Sequence, residues 1–315
     1  MTCVKCSHEG TKKFGYCGRK RVQRWRCLQC KATFIEPTSK PLANHTTEID
    51  IAARALELMM EGSSVRSISR LTGLHIHTIL ALMVTAGEKC EKLLDKMIRN
   101  VRPNFVEVDE IHSMVGCHEK RLRWDAPKEW GSVWCWLGID RETKLIISHY
   151  VGDRDANSAW HFMRSLRART EGIFQLTSDA LKCYPDAVDA HFANQIHYAQ
   201  LIKLYSSPDI TGPDWYGATS RVTGTIPSIR SGQPDKRYIS TSHIERLNLS
   251  LRVHLRRYVR RTNAHSRKLA NHKSCVSLFV AWYNLVRVNT AIRMTPGMAS
   301  GITSTLWTMR DLLCA

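Results

Sequence analysis

The chain has 315 residues, more than one small domain needs, so two or three domains with a sizeable core are expected. Its 46 Lys and Arg against 28 Asp and Glu leave a formal net charge of +18, which points to a polyanionic partner, nucleic acid or an anionic membrane surface. No stretch approaches the roughly 18 consecutive apolar residues of a membrane span, and the first residues are cysteines and lysines rather than an apolar leader. A soluble, unsecreted protein is therefore expected, with its 11 cysteines in a reducing compartment as metal ligands or buried thiols.

The cations are unevenly spread. Residues 1–40 hold ten Lys or Arg with Glu9 and Glu36 the only acids, and residues 236–270 hold ten with Glu245 the only acid. Two separate basic surfaces, hence two nucleic-acid contacts, are expected. In the first block Cys3 and Cys6 form one C-x2-C and Cys27 and Cys30 another, twenty residues apart. Two knuckles joined by a hairpin-length segment supply four soft ligands for a tetrahedral Zn²⁺ from a piece too small to have its own core. A redox C-x-x-C is the competing reading, but it wants a larger βαβ context than forty residues provide. Cys17 falls outside both knuckles. Between them Arg19, Lys20, Arg21, Arg24 and Arg26 interleave with Phe14, Tyr16 and Trp25. The cations suit a phosphate backbone, while the aromatics either stack on DNA or build the ribbon's small core.

A Pro, Ser and Lys stretch over 37–44 reads as a linker. From Thr46 the pattern turns helical. Ala52, Ala55, Leu56 and Met59 keep helical spacing up to Gly62; Ser64 caps a second helix with Val65, Ile68 and Leu71 inward; Gly73 makes a tight turn; Ile76, Ile79, Leu80 and Met83 bury a third helix. This is helix-turn-helix grammar, though any three-helix bundle shares it. His75, His77, Thr78 and Ala81 lie off the apolar stripe, where side chains can reach base edges.

After Pro103 the pattern becomes mixed. Strands are expected over 105–111, 133–140, 145–151, 173–177 and 194–198, with helices over 157–168 and from Pro185. Three antiparallel strands followed by helix, strand, helix and strand make an α/β layered domain. Asp109 on the first strand and Asp179 at the end of the fourth place two carboxylates at strand ends, where they can share divalent cations for in-line phosphoryl displacement. Each has a plainer alternative: Asp179 as a helix N-cap, Asp109 and Glu110 on an exposed strand end. Glu245 fits a capping box with Ser242. A helix from Ser242 to Tyr258 would bury Ile244, Leu247, Leu251 and Leu255 and align Glu245, Asn248 and Arg252 on the next face, beside Arg256, Arg257, Arg260 and Arg261. That suits a metal site next to a phosphate track, or an acid paired structurally to arginine.

Together these residues resemble transposases of the insertion-sequence-one type, members of the wider DDE group with a ribonuclease-H-like catalytic fold. The resemblance covers nearly the whole chain: the cysteine knuckles, the helical segment, Val106 to Ile111, Leu176 to Asp179, Ser242 to Asn248 with the following arginines, and Ala281 to Asn284 through Thr295-Pro296. It implies Asp109, Asp179 and Glu245 as a catalytic triad holding Mg²⁺ or Mn²⁺, beside a structural Zn²⁺ on Cys3, Cys6, Cys27 and Cys30. It also implies a homo-oligomer that binds double-stranded DNA, both the terminal inverted repeats of a bacterial insertion sequence and its target. Water would release a 3′-hydroxyl that then attacks target DNA. The chain would be cytoplasmic and nucleoid-associated, with no membrane partner. Its expected architecture is multidomain: a zinc ribbon over 1–40, an all-α helix-turn-helix segment over 41–100, an α/β ribonuclease-H-like catalytic domain with a mixed sheet over 101–300 and a C-terminal tail over 301–315. His112 and Ala180 depart from the family pattern, which commonly has Trp and Gly there. Asp140, Asp153, Asp155 and Asp186 match no triad position. A DNA-binding regulator without chemistry and a nuclease of the same fold are the competing functions.

Overall fold

The computed structural model describes residues 1–17, 21–35, 41–43, 45–193, 195–206, 222–259 and 262–315. They fall into two compact units, Met1–Asn44 and His45–Ala315. The expected contacts at Arg19, Lys20, Arg260 and Arg261 lie outside the described residues.

In the first unit β1 (Thr11–Cys17), β2 (Val22–Cys27) and β3 (Thr33–Ile35) form an antiparallel sheet in that order. The two knuckles fold alike. Ser7 and Lys31, each just after the second cysteine, take left-handed φ of 57° and 59°. In each, the first cysteine's N–H donates to a carbonyl five residues on, Cys3 to His8 at 2.8 Å and Cys27 to Ala32 at 3.0 Å. The unit's core is Cys3, Cys27 and Phe34 with Trp25 against it. So few apolar side chains do little to offset the chain's conformational entropy, and the four knuckle cysteines are the remaining groups of the unit that converge.

The second unit begins with α1 (Ile49–Met60), α2 (Val65–Thr72) and α3 (Ile76–Met97). Ser64 caps α2 through the Ser67 N–H, and Gly73 at φ +73° turns the chain. The axes of α2 and α3 diverge by 107°, within the range of a helix-turn-helix pair. Ile68 is the buried residue of α2, whereas Leu71, expected inward, is 69% exposed: a helix this short turns only a narrow stripe to its neighbours.

A six-stranded mixed sheet follows, built from β4 (Phe105–Val115), β5 (Gly131–Asp140), β6 (Ile146–Gly152), α4 (Ala156–Arg167), β7 (Gln175–Asp179), α5 (Tyr184–Phe192), β8 (His197–Tyr205) and β9 (Val222–Ser231). The strand order is β6-β5-β4-β7-β8-β9. β4, β5 and β6 are antiparallel, β4, β7 and β8 are parallel, and β9 returns antiparallel on β8. This mixed sheet with flanking helices fits a ribonuclease-H-like α/β domain. β9 answers to no strand expected from the sequence; it holds Gly224 and Pro227, both disfavoured in strands, and Pro is tolerated there since β9 is an edge strand. The strand expected from Ile173 starts at Gln175, and Ile173 is exposed.

One face of the sheet carries α4 and α5, and the other carries α6 (Ser242–His254) and α7 (Leu269–Ala281). α6 buries Ile244, Leu247 and Leu251 as its spacing predicts, but it ends at His254 and a 3-10 turn, Arg256–Tyr258, completes the run. α7 runs into a π-helical turn, Trp282–Val286. There the buried Asn284 amide accepts from the Ile146 N–H at 3.0 Å and donates to the Ile146 carbonyl at 2.9 Å, satisfying the backbone of β6 at the other sheet edge. α3 packs along α7, and a Cβ added at Gly87 would fall 2.1 Å from the Ser274 carbonyl oxygen. After α8 (Pro296–Ala299), α9 (Met309–Cys314) buries Met309, Leu312 and Leu313 against α1 and α3. The segment expected as a tail is thus part of the packed unit, which also holds the helical segment and the sheet together. Among the described residues no single helix is long and apolar enough to cross a membrane.

Candidate active site and metal centres

β4 is the spine of the candidate site. Side chains alternate across a strand, so Glu107 and Asp109 face α6 while Glu110 faces α5. Asp179 ends the parallel neighbour β7, whose Ser178 is in register with Val108. The result is a cluster in which carboxylate oxygens of Asp109, Glu110 and Asp179 lie within 4.8 Å of one another. Asp179 is not the N-cap of α5, a position Cys183 takes; its Oδ1 instead accepts from the Leu181 N–H at 3.0 Å.

Electrostatics mark this cluster as ready for a cation. Burial, with repulsion from Glu110 and Asp179, pushes the Asp109 carboxyl up to about 7. Burial and Asp179 also raise Glu110, although Arg154 at 2.7 Å and the Tyr184 hydroxyl at 3.0 Å pull it back. Hard oxygen donors with unrelieved like-charge repulsion fit Mg²⁺ or Mn²⁺.

Glu245 stands on α6 and is not a member of that cluster. Burial works against its charge, but Lys203 at 2.5 Å and the Thr241 hydroxyl at 2.6 Å hold its carboxyl below the usual range. The expected capping box with Ser242 is not formed: Thr241 is the N-cap, and Glu245 accepts from its hydroxyl. Glu245 nevertheless lines the same cleft as Asp109 and Glu110, about 770 Å³ in volume, together with Asn248, Arg252 and Arg257. The face expected for Glu245, Asn248 and Arg252 is therefore the cleft wall.

Asn248, expected to touch DNA, donates from Nδ2 to Asp109 Oδ2 at 2.8 Å; its Oδ1 is buried with no hydrogen-bond partner among the described residues. It orients the acid. Arg256 donates to the Gly62 carbonyl at 2.6 Å, and Arg257 donates to Ser266 Oγ at 2.7 Å and the Asn271 carbonyl at 3.2 Å. Both have structural duties beyond any phosphate. His112 lines the cleft, edge-on to Trp134 at 5.0 Å, and Ala180 is exposed. Asp140 caps the β5–β6 turn by accepting from the Glu142 and Thr143 N–H groups, and Asp155 caps α4.

Sequence reasoning missed Glu107. Its side chain is buried, and Oε2 accepts from the N–H groups of His243 at 2.8 Å and Ile244 at 3.1 Å, tying β4 to the start of α6. Burial raises its carboxyl even so, although those two N–H groups and Arg141 pull it down. A carboxylate at a helix N-terminus is a favourable placement, and here it fixes the helix bearing Glu245 and Asn248 two residues from Asp109. Glu107→Gln is expected to speed amide hydrogen exchange at His243 and Ile244 by on the order of tenfold, through loss of charge-assisted hydrogen bonds, with an unchanged far-ultraviolet circular dichroism spectrum. Unchanged exchange would remove this positioning role. The signal was present in Val106-Glu107-Val108, an acid alternating with residues of a buried strand.

In the first unit Cys3, Cys6, Cys27 and Cys30 converge within 4.8 Å. Cys3 and Cys30 Sγ atoms lie 3.6 Å apart, as do those of Cys6 and Cys27. That is far beyond the about 2.05 Å of a disulfide and close to the about 3.8 Å edge of a tetrahedron with Zn–S bonds near 2.3 Å. Burial opposes it, yet the Lys5 and Cys6 N–H groups hold the Cys3 thiol down to about 6, whereas for Cys6 the help of the His8 N–H is outweighed by Cys30, burial and Cys27, which push its thiol up to about 12. The two readings of the ribbon aromatics divide between residues: Trp25 packs on the core, while Phe14 and Tyr16 are exposed under Arg24, Arg26 and Arg21. On α3, His75 is the N-cap and His77 is exposed, with Thr78 half-buried.

No family model and no curated protein matches the chain. Among solved structures it is similar to the synaptic complex of piggyBac transposase with hairpin DNA, with a TM-score of 0.42 and 11% identity over 89% of this chain and 72% of that one. It is also similar to the Mos1 transposase paired-end complex with left transposon end, with a TM-score of 0.18 and 12% identity over 50% and 60%. The pre-cleavage Mos1 transpososome gives 0.18 and 10% over 52% and 62%. Likeness at these scores says nothing about the site of this chain.

Proposed function

We propose that the chain is a DNA transposase that binds the terminal inverted repeats of a bacterial insertion sequence and carries out metal-dependent strand cleavage and strand transfer. The observation that carries this reading is the convergence of Asp109 and Glu110, midway along β4, with Asp179 at the end of β7, the first two lining a cleft walled by Glu245 and Arg252. Asp109, Asp179 and Glu245 are the acting triad. A bound Mg²⁺ or Mn²⁺ would neutralise charge developing on a scissile phosphate. Asn248 orients Asp109, Lys203 holds Glu245 against the cleft wall, and Glu107 fixes α6 relative to β4.

The DNA-reading surfaces are the ribbon, through Arg21, Arg24 and Arg26, and the exposed start of α3, through His75, His77 and Thr78. Arg252 and Arg257 supply a separate basic surface in the cleft. Because these contacts are ionic, affinity should fall steeply with salt. Arg252→Ala should flatten the slope of log K against log salt by about 0.9 if that residue meets one phosphate of duplex DNA, read by fluorescence anisotropy across a salt series. An unchanged slope removes Arg252 from that surface.

The function itself is tested by incubating the purified protein with Mg²⁺ and DNA carrying its own element's ends. Release of a 3′-hydroxyl and its joining to target DNA are expected. Cleavage without joining of pre-cleaved ends would make the chain a nuclease. DNA binding that persists without either step, unaffected by Asp109→Ala, Asp179→Ala and Glu245→Ala, would make it a regulator.

A further inference from the structure

The arm joining β4 to β5, residues 116–130, carries a feature that the cleft chemistry does not use. At its tip Trp124 is 95% exposed, more than any other large apolar side chain described. The arm is folded. The Arg121 N–H donates to the His118 carbonyl, Leu122 to Glu119, Ala126 to Arg123 and Trp130 to Pro127, each within 3.1 Å. The Arg123–Ala126 bond closes a tight turn with Trp124 at its first central position. Gly116, at φ +74°, seats the second indole: a Cβ there would fall 2.0 Å from the ring of Trp130. The root lies at the cleft. Ser132 donates to Glu119 at 2.9 Å and bonds His112 at 3.3 Å, and both His112 and His118 line the cleft beside Asp109.

A fully hydrated indole held on an ordered turn gains nothing for the fold, since it covers no apolar surface. Its neighbours are ionic. Lys120, Arg121, Arg123 and Lys128 face outward with Glu119, Asp125 and Glu129; Asp125 pairs with Arg123 at 3.5 Å, and Glu119 accepts from Ser132 at the root of the arm. A single indole ringed by mixed charges is a poor protein-docking patch, which wants contiguous apolar area. It is a good platform for a nucleobase, which presents a flat face and a charged backbone together.

We propose that this arm engages DNA at the mouth of the cleft, with Trp124 stacking on an unpaired base at a strand end and Lys120 and Arg121 against the adjoining backbone. The inference rests on the transposase reading above and adds a preference that reading lacks, for frayed or single-stranded termini over blunt duplex.

The test compares binding of two DNA ends, one blunt and one with a short single-stranded overhang of the same sequence, by wild type, Trp124→Ala and Trp124→Phe. A wild-type preference of about tenfold or more for the overhang is expected from stacking of one base. It should disappear in Trp124→Ala and return in Trp124→Phe, which keeps a π face. Equal preference in wild type and Trp124→Ala overturns the assignment. So does a change in oligomeric state by light scattering with unchanged DNA discrimination, which would place the indole in a second copy of the chain. If the wild type joins DNA ends but Trp124→Ala retains its discrimination, the arm assignment alone fails; if the wild type neither binds nor cuts DNA, the transposase reading fails with it.

Discussion

Asp109→Asn is expected to abolish strand cleavage and at the same time to make the metal-free protein harder to unfold. A carboxyl carried from its ordinary 3.8 to about 7 costs the fold roughly 4 kcal/mol at alkaline pH. Burial is the largest cause, and part of the cost is shared with Glu110 and Asp179, whose charges add to it. The sign follows from the direction of the shift. The folded state binds this proton more tightly than the unfolded chain, so the deficit is absent below the ordinary carboxyl range. It grows as pH rises and is complete above about 7. Melting in EDTA at pH 8 should therefore place Asp109→Asn above wild type by about 5 °C or more for a unit of this size, and the difference should vanish near pH 4. Cleavage by the variant should fall by about a thousandfold, the scale of losing several kcal/mol of metal-borne stabilisation. Equal melting temperatures at pH 8 would mean that the cluster is not under electrostatic strain.

The second large effect concerns the cysteine knuckles. Cys27 is both a core residue and one of the four converging thiols, so Cys27→Ser should remove the metal and unfold residues 1–35 together. Structural zinc in such small folds contributes on the order of 10 kcal/mol or more, beyond anything Phe34 and Trp25 can replace. The expected readout is loss of dispersed amide resonances from the first unit, loss of stoichiometric zinc by elemental analysis, and an unchanged melting transition for residues 45–315. A ribbon that stays folded in Cys27→Ser would refute the metal assignment.

How legible these features were depended on whether a local rule or a long-range contact decided them. The knuckles were legible because four soft ligands at fixed spacing have few other uses. The α6 stripe was legible from period alone, and Ile244, Leu247 and Leu251 are buried where the period puts them. Glu107 and Glu110 were passed over because an acid on a strand reads as a solvent-facing residue. Both are buried, each held by partners far along the chain: Glu107 through Oε2 by the N–H groups of His243 and Ile244, Glu110 by Arg154 and Tyr184. The bond of Asn248 to Asp109 is illegible in sequence for the same reason, since it spans 139 positions. Leu71 was placed inward by a periodicity that its short helix does not honour.

These long-range bonds give the site a definite logic. β4 delivers Glu107, Asp109 and Glu110 in one run: the first anchors α6, the second meets Asn248 and the third is fixed by Arg154 on the opposite face. The strand that carries the cluster thus also aligns the helix that completes the cleft.

Thiophilic rescue tests most directly whether the clustered acids grip a divalent ion at the cutting step. Asp109→Cys and Asp179→Cys should each be inactive in DNA cleavage with Mg²⁺, which avoids sulfur, and regain activity with Mn²⁺, which tolerates it. Full cleavage by either variant in Mg²⁺ alone would contradict the account.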